Sequence, residues 1–331
     1  MTAEEKQHKL PVLCIVGPTA TGKSDLGIEV ALSAGGEVLS ADSMQVYRQM
    51  NIGTAKISED EMQGVPHHLI DLVDPDVAFS VADWTKQADE AIRRLHAQGK
   101  LPIVVGGTGL YIRAITEDLD FAEQPELRAI RDKWQAFLAE HGPKSLHDEL
   151  AKRDEQRALM LHPNDTRRVI RALEVVEGTG RLMSSDYDWG QQGGRYHTVL
   201  IGLTMPREDL YERINLRVDR MVEQGLYDEV RTLLELGYGE DLASMQAIGY
   251  KEMVRAVRGE ISLPEAVLEI QQATRRFAKR QLSWFRRDQR IDWLTVDKTR
   301  GVAQADKVRI FDLARGLRQE LIQQTENRGN V

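Results

Sequence analysis

The stretch GPTATGKS, residues 17–24, carries the first chemistry the sequence offers. Gly17 and Gly22 permit a tight backbone whose successive N–H groups, at Thr19, Ala20 and Thr21, can point inward at an anion. Lys23 adds a full positive charge, and the Ser24 hydroxyl is an oxygen ligand suited to Mg²⁺. A loop of this kind holds the phosphates of a ligand. Two other side chains can work beside it. Asp42, in SADSMQVY, can ligate a metal through water, act as a general base, or fold back as an Asx turn or helix cap. Thr108, in GGTGLY, can hydrogen-bond a substrate or cap the helix that follows it.

These groups need elements to position them. PVLCIVG (11–17) reads as a buried strand, and KSDLGIEVALSAG (23–35) as the helix after it, closed by Gly35 and Gly36. The helix N-terminus then adds its partial positive charge to the loop. Further strands are expected at 36–42 and 68–73, and 80–100 is a strongly amphipathic helix with Ser80 as N-cap. Residues 102–112 read as a strand running into a Gly-rich turn and another helix. Such alternation implies a parallel sheet with right-handed crossovers. Ligands of open α/β sheets sit beyond the carboxyl ends of the strands, which puts Asp42 and Thr108 on the same rim as the loop.

The alternation stops near Asp118. Helical patterns alone continue to about Gly194, where SSDYDWGQQGG is rich in glycine and serine. Strands resume at 197–205 and 292–296, and the polar end of the chain reads as disordered. The expected architecture is α/β: a P-loop NTPase-like parallel sheet core (1–117 and 196–324), an inserted all-helical subdomain (118–195), a helical C-terminal region and a disordered tail (325–331).

Composition limits the functional classes. With 331 residues, 41% hydrophobic and 29% charged, the chain is of ordinary globular type. No apolar run approaches the roughly 20 residues that span a bilayer, and the charged start has no secretory leader. Cys14 is the single cysteine, which excludes intrachain disulfides and thiolate zinc sites and fits a cytoplasmic protein. The net charge of −8 argues against nucleic acid in general. One segment reverses it. Residues 271–290 carry Arg275, Arg276, Lys279, Arg280, Arg286, Arg287 and Arg290 against Asp288 alone, a local balance of +6. Their spacing makes one broad cationic helix face suited to RNA phosphates, with Phe277, Trp284 and Phe285 turned toward a core. Arg167 and Arg168, on the inserted helices, can face RNA or the core, and His67 and His68 read as structural.

Loop and fold alone would allow an ATPase, a GTPase or a kinase. Those reactions need an acid at an apolar strand end to place Mg²⁺. Asp71 in HLIDL is the nearest, but apolar residues continue beyond it, and PIVVGG ends without an acid. No GTPase base-recognition motif is visible. The loop therefore also admits a diphosphate in a reaction other than hydrolysis.

Taken together, GPTATGKS, SADSMQVYRQMNIGTAKI, PHHLIDLVDP, VVGGTGLYI, HPNDTRRVIRALEV, MQAIGYKE and ATRRFAKRQLSWFRR resemble the bacterial tRNA dimethylallyltransferase family. The zinc-finger extension of some eukaryotic relatives is missing. The resemblance implies transfer of a dimethylallyl group from dimethylallyl diphosphate to N6 of adenosine 37, in the anticodon stem-loop of tRNAs reading codons that begin with U. Carbon–oxygen cleavage releases diphosphate, with Mg²⁺ as cofactor and a monomer as the expected state. It implies that Gly17, Thr19, Ala20, Thr21, Gly22, Lys23, Ser24 and Arg217 hold the diphosphate; by spacing alone Arg217 would be a solvated charge. Asp42 would take the N6 proton and Thr108 would hold N6. Ser43, Met44 and Gln45 would surround the extruded adenine. Contacts to tRNA would also come from Gln246, Ala247, Ile248, Gly249, Tyr250 and Lys251, from Arg167 and Arg168, and from Lys279, Arg280, Gln281, Trp284 and Arg286. The competing readings are a small-molecule kinase, an isopentenyltransferase acting on free AMP, and an RNA-binding GTPase-like switch.

Overall fold

Val12, Leu13, Ile15 and Val16 are all buried, so the first strand is covered on both faces and must be central. In the computed structural model, which describes residues 9–119, 125–183 and 194–329, it is β1 (Pro11–Val16). The phosphate loop leads into α1 (Lys23–Ala34), then β2 (Gly36–Ala41), β3 (His67–His68), α2 (Val81–Ala97), β4 (Leu101–Gly106) and α3 (Gly109–Thr116). Three helical segments follow: α4 (Pro125–Arg153), α5 (Glu155–Met160) and α6 (Thr166–Thr179). The chain ends with β5 (His197–Thr204), α7 (Arg207–Glu223), α8 (Leu226–Glu235), α9 (Tyr250–Val257), α10 (Leu263–Phe285), β6 (Asp292–Thr295) and α11 (Gln304–Gly329).

The six described strands form one parallel sheet in the order β3-β2-β4-β1-β5-β6. The steps β1 to β2 and β3 to β4 cross the sheet in opposite directions, so right-handed connections put α1 and α2 on opposite faces. The α1 side is sealed by Leu26, Ile28 and Val30 with Ile310, Ala314 and Leu317 of α11. Helix α2 starts with a full capping box: Ser80 Oγ accepts from the Asp83 N–H, and the Asp83 carboxylate accepts from the Ser80 N–H. Its Trp84 is fully buried, stacks on Tyr111 and donates to the Ser40 carbonyl.

The chain divides into two compact units, Met1–Leu119 with Gln192–Val331, and Asp120–Gln191. The second has its own core of Trp134, Leu146, Leu150, Val169, Ile170 and Leu173. Within α4, Gly142 takes φ 79° before Pro143, so the segment is two helices meeting at a kink.

Two expectations are corrected. The strand expected over 68–73 is only His67–His68. Leu69 and Asp71 adopt left-handed φ, and the N–H groups of Asp71, Leu72 and Val73 turn to the carbonyls of Gln45 and Val46 instead of a sheet neighbour. The tail is helical to Gly329, because Ile310, Ala314, Leu317 and Leu321 form a buried stripe that carries α11 forward. The start (1–8), nearly all of the Gly- and Ser-rich stretch (184–193) and residues 330–331 lie outside the described residues.

Candidate functional site

Neighbouring strand ends build the rim. The carboxyl ends of β2, β4, β1 and β5 lie side by side, so Asp42, Gly107–Thr108, the phosphate loop and Leu203 converge. The approach is too close for side chains at two points. Gly17 has φ 138°, and a Cβ there would stand 2.4 Å from the Leu203 carbonyl oxygen. A Cβ at Gly107 would stand 2.1 Å from Gln281 Nε2.

The loop coils through Ala20, which takes left-handed φ, and Thr21 Oγ1 bonds the Pro18 carbonyl at 2.9 Å. Lys23 Nζ donates to the same carbonyl at 2.7 Å. Burial pushes the Lys23 ammonium down to about 7, helped by Arg217 and opposed by Asp42. Arg217 reaches in from α7, and its Nη1 donates to Thr19 Oγ1 at 3.2 Å. Burial also lowers its pKa, while Asp42 and Asp25 act against that. Lys23, Arg217 and Asp42 thus lie close enough on this rim to act on one another electrostatically, with burial the larger influence on both cations. Arg217 is half-buried, unlike the solvated charge its spacing alone suggested. Ser24 is exposed at the start of α1.

Asp42 does form the Asx turn: its Oδ1 accepts from the Met44 N–H at 2.8 Å. The turn fixes the carboxylate, and Oδ2 takes no hydrogen bond among the described residues. Thr108 occupies the N-cap position of α3 without capping it. Its Oγ1 instead accepts from the Ser43 N–H at 3.1 Å, which ties the β4 rim to the β2 rim.

Several side chains expected to face RNA are structural. Gln281 is buried; its Oε1 accepts from the Thr19 N–H (2.9 Å) and its Nε2 donates to the Gly107 carbonyl (3.0 Å). Its amide therefore bonds the phosphate loop to the β4 rim. Gln45 is similarly engaged, donating to the Thr54 and Ala55 carbonyls and accepting from Ser40 Oγ. Gly249 and Tyr250 are buried, while Gln246 and Lys251 are exposed, with Ala247 and Ile248 between. Ser43, Met44 and Trp284 are half-buried, and the Trp284 indole packs where a Cβ on Gly109 would be.

The cationic face is smaller than its count. Helix α10 ends at Phe285, so the helical spacing stops there. Arg275 turns inward to Asn215 Oδ1 at 2.6 Å. Arg290 is drawn to the buried Asp288 (2.6 Å) and Glu117 (3.6 Å). Arg276, Lys279, Arg280, Arg286 and Arg287 remain exposed, and Phe285 is buried as expected. In the second unit, Arg167 and Arg168 are exposed on α6, with Arg168 paired to Asp165 at 3.0 Å. His68 Nε2 bonds the buried Glu37 at 2.6 Å, a structural role. Asp71, the nearest acid for a hydrolase, pairs with Lys56 at 2.6 Å.

A glycine-lined phosphate loop, two desolvated cations and a fixed carboxylate on the rim of a parallel sheet define a P-loop-type group-transfer protein. Residues 45–288 match the family described as IPP transferase, and the chain belongs to that family. It is 50% identical over 291 residues to the tRNA dimethylallyltransferase of Desulforudis audaxviator, covering 88% of this chain and 94% of that one. The full-length tRNA isopentenylpyrophosphate transferase of Bacillus halodurans superposes with a TM-score of 0.71 at 43% identity, covering 95% of this chain and 99% of its own. A eukaryotic dimethylallyltransferase acting on tRNA gives 0.70 at 30% identity, over 86% and 74%.

Proposed function

We propose that this protein transfers a dimethylallyl group from dimethylallyl diphosphate to N6 of adenosine 37 in tRNAs reading codons that begin with U. Membership of the IPP transferase family and the tRNA-modifying relatives support the reaction class. The observation that carries the reading is the meeting of Lys23, Arg217 and Asp42 at one rim. The diphosphate lies along the loop amides, with Lys23 and Arg217 balancing the charge that grows on it as the C1–oxygen bond breaks. The N6 amine attacks C1, forming the new C–N bond, and its proton passes to the Asp42 carboxylate. An exocyclic adenine amine is a weak nucleophile, so a base at this point contributes roughly 10²–10⁴-fold. Thr108 orients N6, beside Ser43 and Met44 around the extruded base.

Mg²⁺ fits as a passenger of the diphosphate. Among the described residues no group of three acidic or histidine side chains could cage a metal. Ser24 offers a hard oxygen at the loop, and the diphosphate and water would complete the shell. The ion would neutralise part of the departing negative charge. The exposed cations of α10, with Arg286 and Arg287 beyond it, Arg167 and Arg168, and the exposed Gln246 and Lys251 supply phosphate contacts along the tRNA. The same reading makes the protein a cytoplasmic monomer. No described helix is long and apolar enough to cross a membrane.

Incubation with radiolabelled dimethylallyl diphosphate, Mg²⁺ and either bulk tRNA, AMP or ATP tests the proposal. Label in tRNA, lost when adenosine 37 is replaced by guanosine, is expected. Label in AMP alone, or ATP hydrolysis without label transfer, refutes it.

A further inference from the structure

The segment that follows Asp42 is gripped from outside by one carboxylate. Glu229, on α8, accepts four hydrogen bonds. Its Oε2 takes the N–H groups of Asn51 (3.0 Å) and Ile52 (2.8 Å), and its Oε1 takes the Gly53 N–H (3.1 Å) and the Tyr250 hydroxyl (2.6 Å). Three consecutive amides converging on a carboxylate form an anion nest, and bonds to a charged acceptor are the strong ones. Tyr250 is fully buried, and a Cβ on Gly53 would stand 2.4 Å from its ring, so the loop lies flat against it. Lys56 holds the same loop from the other side, donating to the Tyr47 carbonyl, Asn51 Oδ1 and Asp71.

This clamp leads to the rim in two steps. Residues 51–56 close on themselves through Ala55 N–H to Ile52 and Lys56 N–H to Asn51. The carbonyls of Thr54 and Ala55 then receive the Gln45 amide, whose oxygen accepts from Ser40, two residues before Asp42. We infer that Glu229, with Tyr250 behind it, is a positioning residue for the acceptor side of the site: it fixes the 51–55 loop, which fixes Gln45 and with it the turn that aims Asp42. Among the described residues no comparable link runs from Glu229 to the phosphate loop, which is held instead by Gln281 and Arg217. Misplacement of a reacting group by about 1 Å can cost ~10²-fold in rate. Loss of the clamp therefore affects the acceptor and leaves the donor untouched.

The inference rests on the transfer to tRNA proposed above, and wild-type activity on tRNA, measured alongside, tests that reading separately. Glu229→Gln places an NH₂ group against N–H donors and leaves at least one unpaired, whereas Tyr250→Phe keeps the ring and removes only the hydroxyl bond. With either variant, kcat/KM for tRNA and calorimetric Kd for dimethylallyl diphosphate are compared with wild type. A fall of about 10- to 100-fold for tRNA in Glu229→Gln, and a smaller fall in Tyr250→Phe, is expected. The diphosphate Kd is expected to stay within about twofold. If Glu229→Gln does not fold, Tyr250→Phe decides alone. Unchanged kcat/KM for tRNA, or a diphosphate Kd that rises in step with the loss, overturns the inference.

Discussion

In the proposed function Lys23 makes diphosphate binding a proton-coupled event. Burial holds its ammonium at about 7 in the ligand-free loop, well below the ordinary lysine value of 10.5. A bound diphosphate supplies the missing counter-charge and returns the group toward that ordinary value. Only the protonated loop binds well, so affinity follows the protonated fraction: about one half at pH 7 and about 1% at pH 9. The expected loss between those two pH values is about 50-fold, or about 2.3 kcal/mol. This is an upper bound, because Lys23 keeps partial exposure at the loop and water screens some of the cost. Calorimetry with dimethylallyl diphosphate, in buffers of different ionisation enthalpy, should record uptake of nearly one proton at pH 8. In Lys23→Arg, whose guanidinium stays charged, both slope and uptake should vanish. A Kd independent of pH from 7 to 9, or the same slope in Lys23→Arg, would refute the reasoning. The sign for stability follows the same depression. Between about 7 and 10.5 the unfolded chain holds a proton the native loop has released, so ligand-free stability rises with pH across that window; below it the cost of the buried cation is fully present.

The remaining expectations concern separate parts of the site. Asp42→Asn keeps an acceptor for the Met44 N–H but removes the base; kcat should fall roughly 10²–10⁴-fold while diphosphate Kd holds, and near-normal turnover would remove Asp42 from its role. Gln281→Leu leaves the Thr19 N–H and the Gly107 carbonyl without their partner, at about 1–3 kcal/mol each. Melting temperature and diphosphate affinity should drop together with tRNA binding intact; a defect confined to tRNA would reinstate Gln281 as an RNA contact. Reversing Arg276 and Arg280 to Glu should weaken tRNA binding and lower the salt slope by at least about 1.4, read from log K against log salt. An unchanged slope would take α10 out of the interface.

Local pattern was sufficient where the physics is local. The run 11–16, its glycines and the helix after it are readable because burial, turn chemistry and helix start all fall within 25 residues. The pattern failed at 69–73, where Leu69 and Asp71 turn left-handed and the N–H groups of Asp71, Leu72 and Val73 go to carbonyls of Gln45 and Val46, partners more than 20 positions away. It overcounted the cationic stripe for a related reason. Arg275 and Arg290 look like surface charges until Asn215 and the buried Asp288 are packed beside them. Gln281 and Glu229 were illegible in the roles they take. An amide on a basic helix and an acid on an amphipathic one carry no local sign that the first will bond Thr19 and the second three amides at 51–53.

The order of the strands bears on why such a loop would serve carbon rather than phosphorus. In a phosphoryl-transfer site an acid must stand close enough to the phosphates to hold their metal. Here the strand beside β1 on that side is β4, and it ends in Gly106 and Gly107. The carboxylate comes one strand further out, at the end of β2, two spacings or about 10 Å from the start of the loop. Lys23 and Arg217 are long enough to feel Asp42 from the phosphate side: burial lowers the pKa of both, and the Asp42 charge offsets part of that fall. In the proposed reaction a carboxylate at that remove would stand off the phosphates themselves and nearer to an amine approaching C1 from the side opposite the departing oxygen. Gln281 then acquires its purpose from the same geometry. By bonding Thr19 to Gly107 it fixes the gap between the phosphate loop and the β4 rim, and in the proposed reaction an in-line displacement at carbon would depend on that gap.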